Sequence, residues 1–193
     1  RISAMAKRLG LGHATGIDLT GEKDGLMPTR AWKKAVTGVA WQKGETLIAG
    51  IGQGFVLSTP LQLAVMTARI ANGGRAVKPH MVRAIQSGGK ITPTPAPAAA
   101  PLGISDHALK FVRDAMYAVS NSRRGTAYRA RIKDKGMELA GKTGTSQVRR
   151  ISKYERETRV LKNHERPWRD RDHALFVGFA PVHAPRYAIA VVV

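Results

Sequence analysis

The sequence predicts an α+β fold in which helices pack on an antiparallel sheet. Two observations support this prediction. Apolar residues recur at helical spacing in two long segments, at 60–71 and 105–121. Toward the C-terminus, residues 139–148, 174–180 and 187–193 each have the composition of a strand. Strands that follow one another without a crossover helix pair as an antiparallel sheet, and the helices cover that sheet.

The length of 193 residues fits one domain or a large part of one, and a hydrophobic content of 43% is enough for a packed core. The absence of cysteine excludes disulfides and thiolate metal sites. Arg1 opens inside a helical run and Val193 closes inside an apolar strand, so we expect an incomplete fragment of a longer protein. The sequence contains neither a signal peptide nor an apolar run long enough to span a membrane.

The charge is strongly basic, with 32 Lys+Arg against 13 Asp+Glu and a formal net charge of +19. Such a surplus favours a polyanionic neighbour, either nucleic acid, anionic lipid or an acidic polymer. Recognition motifs for nucleic acid are absent, so we expect no specific nucleic-acid partner. The six histidines are scattered and do not form a metal-binding motif.

The N-terminal third contains short elements. Residues 1–9 have helical periodicity, and Gly10 should end that helix. Thr29 is placed to cap a short helix through Val36. The glycine-rich run 50–54 suggests a phosphate cradle, but its spacing is not Gly-x-Gly-x-x-Gly and no Gly-Lys-Ser/Thr follows. We therefore interpret this run as scaffold.

Two longer helices follow. Thr59 and Pro60 begin a helix that runs to about Ala71. Its predicted buried side consists of Leu61, Ala64, Val65, Ala68 and Ile70. Ser105 or Asp106 begins a second helix to about residue 121. Its predicted inner side consists of Leu109, Val112, Met116 and Val119.

The remaining segments are a hairpin and two loops. Residues 81–91 predict a hairpin with its turn at 87–90. Residues 92–102 contain four prolines and four alanines and predict an extended surface loop. Residues 149–173 hold nine Lys+Arg and five Asp+Glu, which predicts a long, solvated and disordered connection. This loop is either a charged flap without a binding role, or a loop that binds a partner or acts as a lid.

The stretch Lys142-Thr143-Gly144-Thr145 places polar groups on an otherwise apolar strand. Lys142 supplies a fixed positive charge, and the two threonines supply hydroxyl donors, which together suit a ligand that ends in a carboxylate. Gly144 has no side chain, so another backbone can lie close to the strand. We expect a peptide to bind here by strand addition.

Several blocks together resemble the later part of a penicillin-binding transpeptidase domain, closest to class B enzymes of the penicillin-binding protein 2 type, which serve cell elongation. In chain order, the blocks that carry the resemblance lie at 12–19, 25–33, 50–54, 59–62, 72–74, 125–127 and 142–145. They cover nearly the whole chain. The resemblance implies the penicillin-binding and serine β-lactamase-like fold, with residues 1–193 as the C-terminal portion of the transpeptidase domain.

The resemblance also implies an activity, peptidoglycan D,D-transpeptidation. In this family a serine attacks the D-alanyl-D-alanine end of a stem peptide and passes the acyl group to an amine, and β-lactam antibiotics acylate the same serine. Implied partners are a membrane glycosyltransferase and elongation-complex proteins. The implied location is the periplasmic face of the bacterial inner membrane, with an N-terminal anchor outside this chain. No cofactor is implied.

The family uses three motifs, Ser-x-x-Lys, Ser-x-Asn/Asp and Lys-Thr/Ser-Gly. Ser87 and Lys90 have the spacing of the Ser-x-x-Lys motif. However, they lie on a glycine turn and follow the region where the second motif belongs. Ser120-Asn121-Ser122 lacks the third residue of the second motif. We therefore expect both motifs upstream of Arg1, in a missing part of the domain, and we expect this chain alone to be inactive.

The resemblance implies roles for the third motif. Lys142 would hold the substrate carboxylate and support the proton network of the missing second motif. Thr143 and Thr145 would hydrogen-bond the carboxylate, and the Thr145 N–H would form half of an oxyanion hole, beside the N–H of the missing serine. Gly144 completes the substrate-binding strand. Two alternatives are a non-catalytic relative that acts as a sensor or scaffold, and a nucleic-acid binder that uses the basic loop.

Overall fold

The computed structural model describes residues 1–149 and 151–193. The α-helices are α1 Ile2–Leu9, α2 Arg30–Thr37, α3 Lys43–Gly50, α4 Pro60–Ala71, α5 Asp106–Asn121 and α6 Lys153–Glu157. The strands are β1 Ala84–Ser87, β2 Lys90–Pro93, β3 Ala140–Ser146, β4 His173–Ala180 and β5 Tyr187–Val192. Short 3₁₀ turns cover Tyr128–Ala130, Asn163–Glu165 and Trp168–Asp170. This mixture confirms the predicted α+β class.

The main sheet is antiparallel, with strand order β3-β4-β5. Lys142 on β3 lies opposite Val177 on β4, and Phe176 on β4 lies opposite Val191 on β5. Within the described part of the chain, β3 pairs on one side only, so it forms an edge of this sheet. The antiparallel sheet that the three C-terminal strands predicted is confirmed.

The core lies between this sheet and two helices. Helix α5 packs behind β3, and α4 packs behind β4 and β5. The core cluster consists of Ile70, Ala71, Met116, Ala140, Phe179 and Val182. Phe179 is 1% exposed, and burial of such a side chain contributes about 2–3 kcal/mol. The start of β3 is thereby fixed against α5.

Helix α4 begins as its sequence predicts. The Gln62 N–H donates to Thr59 Oγ1, and the Thr59 N–H donates to Gln62 Oε1, both at 3.1 Å. This capping box satisfies two donors that a helix start leaves free. The Gln62 amide also donates to the carbonyls of His13 and Asp24, at 2.7 and 2.8 Å. A fully buried glutamine therefore ties the N-terminal loops to α4.

The predicted buried faces of the two long helices were only partly correct. The buried residues of α4 are Gln62, Val65, Thr67, Ile70 and Ala71. Val65 and Ile70 were predicted, whereas the other three predicted residues are only partly buried. The Thr67 hydroxyl can be buried because it donates to the Leu63 carbonyl at 2.8 Å. On α5, Leu109 and Met116 are buried, as predicted. Val112 is 39% exposed, contrary to prediction.

The predicted hairpin is present. Strands β1 and β2 pair from Ala84↔Pro93 to Ser87↔Lys90 around a turn of two glycines, and all eight strand residues are exposed. Residues 94–100 then form neither helix nor strand. None of the helices in the described ranges is both long and apolar enough to cross a membrane.

The charged loop 149–173 contains α6 and two 3₁₀ turns, so the prediction of a disordered connection was wrong. The physical reason is internal ion pairing. Each of its five acidic side chains pairs with a lysine or arginine. The Arg166–Asp172 pair, at 3.1 Å, has side chains only 7% and 17% exposed. Arg150, which belongs to the predicted loop, lies outside the described residues. The lid or partner-binding role of the loop stays a prediction.

Candidate active site

The backbone direction of β3 follows from its register. Ala174 exchanges two hydrogen bonds of 2.9 Å with Val193, so its N–H and C=O face away from β3. Thr145 lies opposite Ala174, which makes this a non-hydrogen-bonded pair of the β3–β4 ladder. The Thr145 N–H and C=O therefore point to the free edge. Thr143, two residues earlier and opposite Phe176, has the same orientation.

Contacts at the free edge agree with this orientation. The Gln53 side chain donates to the Thr145 carbonyl at 3.0 Å. The Lys142 ammonium donates to the Thr143 carbonyl at 2.7 Å. Both outward carbonyls thus have partners within the chain. The N–H groups of Thr143 and Thr145, on the same edge, are the donors that an approaching ligand meets.

The four predicted site residues remain accessible. Lys142, Gly144 and Thr145 are exposed and Thr143 is half-buried. Strand alternation places the Lys142 side chain on the face opposite to the two threonine side chains. Its hydrogen bond to the Thr143 carbonyl shows that the long side chain folds over the strand edge. Among residues 1–149 and 151–193, Lys142 forms no salt bridge, so its charge is available to an anionic ligand.

The Thr126 hydroxyl, which was not predicted to belong to the site, contacts strand β3. The Thr126 and Thr143 hydroxyl oxygens lie 2.9 Å apart. Gly125 allows this contact, because a Cβ there would lie 2.2 Å from the Val119 carbonyl oxygen at the end of α5. The Ala127 N–H donates to that same carbonyl at 3.0 Å. The block 125–127 carried part of the family resemblance, which was the one available signal for Thr126.

The two glycines of β3 have different surroundings. A Cβ on Gly141 would lie 2.3 Å from Phe176 Cζ and 2.6 Å from the Val177 carbonyl oxygen. The sheet itself therefore requires glycine at 141. A Cβ on Gly144 would make an ordinary contact of 3.4 Å with Leu175 Cβ. The described residues do not require glycine there, and the close approach of a ligand backbone to Gly144 stays a prediction.

A cavity of about 580 Å³ flanks the C-terminal end of β3. Its walls come from α3, the glycine-rich run and the residues after β3, and include Ile48, Ile51, Gln53, Phe55 and Val148. Charged side chains, including Glu45 and Arg149, line it as well, so the cavity suits a part of a ligand with mixed polarity. Nowhere in the described ranges do three or more His, Asp or Glu side chains cluster as metal ligands.

Residues 1–193 match the family model of the penicillin binding protein transpeptidase domain. The chain therefore belongs to the penicillin-binding protein transpeptidase family. This confirms the resemblance that the sequence blocks indicated.

Individual members of the family are similar to this chain over nearly its whole length. The chain is 39% identical over 195 residues to the peptidoglycan D,D-transpeptidase MrdA of Salmonella typhimurium, covering 100% of this chain and 30% of the relative. Pseudomonas aeruginosa PBP2 in complex with WCK 5153 is 37% identical with a TM-score of 0.77, over 99% of this chain and 38% of that one. Helicobacter pylori PBP2 in complex with MreC is 32% identical with a TM-score of 0.79, and the match covers 98% of this chain and 31% of that one. The chain spans about 30% of the length of the curated relatives it matches.

Proposed function

We propose that this chain is the substrate-binding part of a peptidoglycan D,D-transpeptidase that cross-links stem peptides. One observation carries the proposal. In a chain of this family, the exposed strand segment from Lys142 to Thr145 presents a cation, hydroxyls and two outward N–H groups along one free edge.

In the proposed reaction, the stem peptide lies along the β3 edge and ends in the carboxylate of its last D-alanine. Lys142 attracts that carboxylate, and the hydroxyls of Thr143 and Thr145 hydrogen-bond it. Thr126 orients the Thr143 hydroxyl through their 2.9 Å contact. The exposed position of Lys142 and Thr145 supports this role, since both reach a ligand without rearrangement of the core.

The serine that attacks belongs to a part of the parent protein outside this chain. Its oxygen bonds to the carbonyl carbon of the penultimate D-alanine, and the amide bond to the last D-alanine breaks. That D-alanine leaves with a proton on its nitrogen. An amine from a neighbouring strand then attacks the ester, forms a new amide and returns the serine. β-Lactams enter the same first step and remain on the serine.

The Thr145 N–H is the proposed donor to the carbonyl oxygen while negative charge develops on it. Its direction toward the free edge supports this assignment. A preorganised donor of this kind contributes roughly 3–4 kcal/mol to transition-state stabilisation. The N–H of the missing serine is the proposed second donor, so this chain alone should not turn over substrate.

The proposed setting of the parent is the periplasmic face of the bacterial inner membrane, with an anchor outside this chain. Its proposed partners are a membrane glycosyltransferase and elongation-complex proteins. The Helicobacter pylori relative solved with MreC supports a protein partner of that kind. The charged loop does not favour a nucleic-acid role, because its acidic side chains neutralise many of its cations internally.

Acylation of the intact parent by a fluorescent penicillin tests the proposal. Wild-type parent should be labelled, and Lys142→Ala should lower the labelling rate about a hundredfold, because loss of one partner of a charged contact costs roughly 3 kcal/mol. Lys90→Ala, in the exposed β1–β2 hairpin, is the matched control and should label normally. A parent that folds but resists labelling would instead indicate a non-catalytic sensor or scaffold.

A further inference from the structure

The glycine-rich run 50–54 ends helix α3 in a defined way. The Gln53 N–H donates to the Ile48 carbonyl at 3.0 Å, and the Gly52 N–H donates to the Ala49 carbonyl at 3.1 Å. Gly52 has φ of +75°, which glycine adopts without strain. These two hydrogen bonds form a Schellman motif, a common helix end. The backbone of Gln53 is therefore fixed relative to α3, and the run has a structural explanation that needs no phosphate.

Helix α3 is in turn anchored to α2. The buried Lys33 ammonium lies 2.6 Å from the Glu45 carboxylate, with side chains 6% and 22% exposed. Hydrogen bonds from the Gln42 N–H and then from Lys33 lower the pKa of Glu45, so the Glu45 carboxylate stays charged at neutral pH. Beyond Gln53, the Phe55 ring meets the Trp32 ring edge-on, with centroids 5.3 Å apart. The segment that carries Gln53 is thus held on both sides.

From this anchored position, the Gln53 amide crosses to β3. Its Nε2 donates to the Thr145 carbonyl at 3.0 Å, across 92 residues of sequence. In an extended strand, the N–H and C=O of one residue point to the same edge. Fixing the carbonyl of Thr145 therefore also fixes the direction of its N–H. Thr145 needs such support because it is exposed, near the end of an edge strand.

We propose that Gln53 is a positioning residue, whose amide holds Thr145 so that its N–H points at the oxygen that becomes negative during acylation. This inference rests on the proposed function. Gln53 need not touch the substrate, and it acts through Thr145. Donors in such sites must be held within about 0.5 Å of the productive geometry. The anchored α3 end supplies that rigidity to an otherwise free strand edge.

The first experiment uses Gln53→Leu in the intact parent. Acylation by a fluorescent penicillin is resolved into the dissociation constant of the initial complex and the rate constant of acylation. We expect the acylation rate constant to fall about tenfold, because the Thr145 N–H is then less well aligned with the developing oxyanion, while the dissociation constant stays within about twofold. Gln86→Leu is the matched control, because Gln86 lies on the exposed β1–β2 hairpin, and its rate should not change.

The second experiment uses Gln53→Glu, in which the new side chain is nearly isosteric with glutamine. A carboxylate cannot donate to the Thr145 carbonyl, whereas a protonated carboxyl can. The acylation rate of this variant, divided by that of the wild type at each pH, should rise as pH falls toward about 4.3. A purely structural role of Gln53 predicts a ratio that does not depend on pH.

The outcomes separate the two proposals. Failure of wild-type parent to be acylated overturns the proposed function itself. An acylated wild type with an unchanged rate constant in Gln53→Leu, or a loss confined to the dissociation constant, overturns only the positioning role. If Gln53→Leu is unstable by thermal unfolding, the pH-dependence of Gln53→Glu decides, and a flat ratio contradicts the inference.

Discussion

Within strand β3, Ala140 and Gly141 are buried, whereas Lys142, Gly144 and Thr145 are exposed. The buried half packs against α5, and its conformation is set by the core. The exposed half is held by side chains from two distant segments, Gln53 and Thr126. The difference teaches that one short strand can belong to the core at one end and remain accessible for the proposed substrate binding at the other. Mutations in the first half should therefore affect folding, and mutations in the second half should affect acylation.

The largest expected effect on folding comes from Gly141→Ala. The added Cβ would overlap Phe176 and the Val177 carbonyl, so the strand must shift. We expect the free energy of unfolding to fall by about 2–3 kcal/mol. Thermal or urea unfolding of the intact parent measures this loss. Stability equal to wild type would show that the buried half of β3 is less constrained than described.

The matched variant in the exposed half is Gly144→Ala, whose Cβ has room beside Leu175. Its free energy of unfolding should change by less than about 0.5 kcal/mol. If a ligand backbone lies against Gly144, the acylation rate should nevertheless fall, by up to about a hundredfold, because the ligand is displaced. Normal acylation together with normal stability would remove the binding role of Gly144.

Thr126→Val tests whether the Thr126 side chain supports the exposed half of β3. Valine keeps the shape but loses the hydroxyl that contacts Thr143. We expect acylation by labelled penicillin to slow about five- to tenfold, because one hydrogen bond near the bound carboxylate is lost. Thr94→Val, in the exposed loop 94–100, is the control. Equal rates in both variants would leave Thr126 a scaffold residue.

The smallest expected effect is on the free energy of unfolding, and it concerns Glu155 in the loop that follows β3. Hydrogen bonds, first from Arg149 and then from Ser152, lower the pKa of Glu155 from 4.5 to about 2. A lowered folded-state pKa means that the unfolded chain takes up a proton first. The stabilisation is therefore present above about pH 4.5 and is lost as pH falls toward 2. The stability difference between wild type and Glu155→Gln should shrink over this range, whereas Glu157→Gln, in a more exposed pair, should differ little at any pH.

Sequence reasoning succeeded where local chemistry decides the structure. Thr59 and Pro60 specify the start of α4 through a capping box, and helical periodicity specifies α5. The Lys-Thr-Gly stretch lies on the predicted strand, at the predicted free edge.

The failures concern tertiary contacts. Helix α3 was not predicted, because it has little periodicity and depends on the Lys33–Glu45 pair. The buried Gln62 replaced apolar residues on α4 because loop carbonyls accept from it. The charged loop was wrongly predicted to be disordered, because charge counts do not show which acid meets which base. Gln53 was interpreted as scaffold, and Thr126 was not assigned to the site, because the sequence does not show that either side chain contacts β3.

The most direct test of the central claim is a crystal structure of the intact parent acylated by a penicillin. We predict that the acyl carbonyl oxygen lies about 2.7–3.1 Å from the Thr145 nitrogen. The penicillin carboxylate should contact the hydroxyls of Thr143 and Thr145, with Lys142 beside it. An adduct whose carbonyl oxygen lies away from Thr145, or whose carboxylate contacts none of these three residues, would contradict the account.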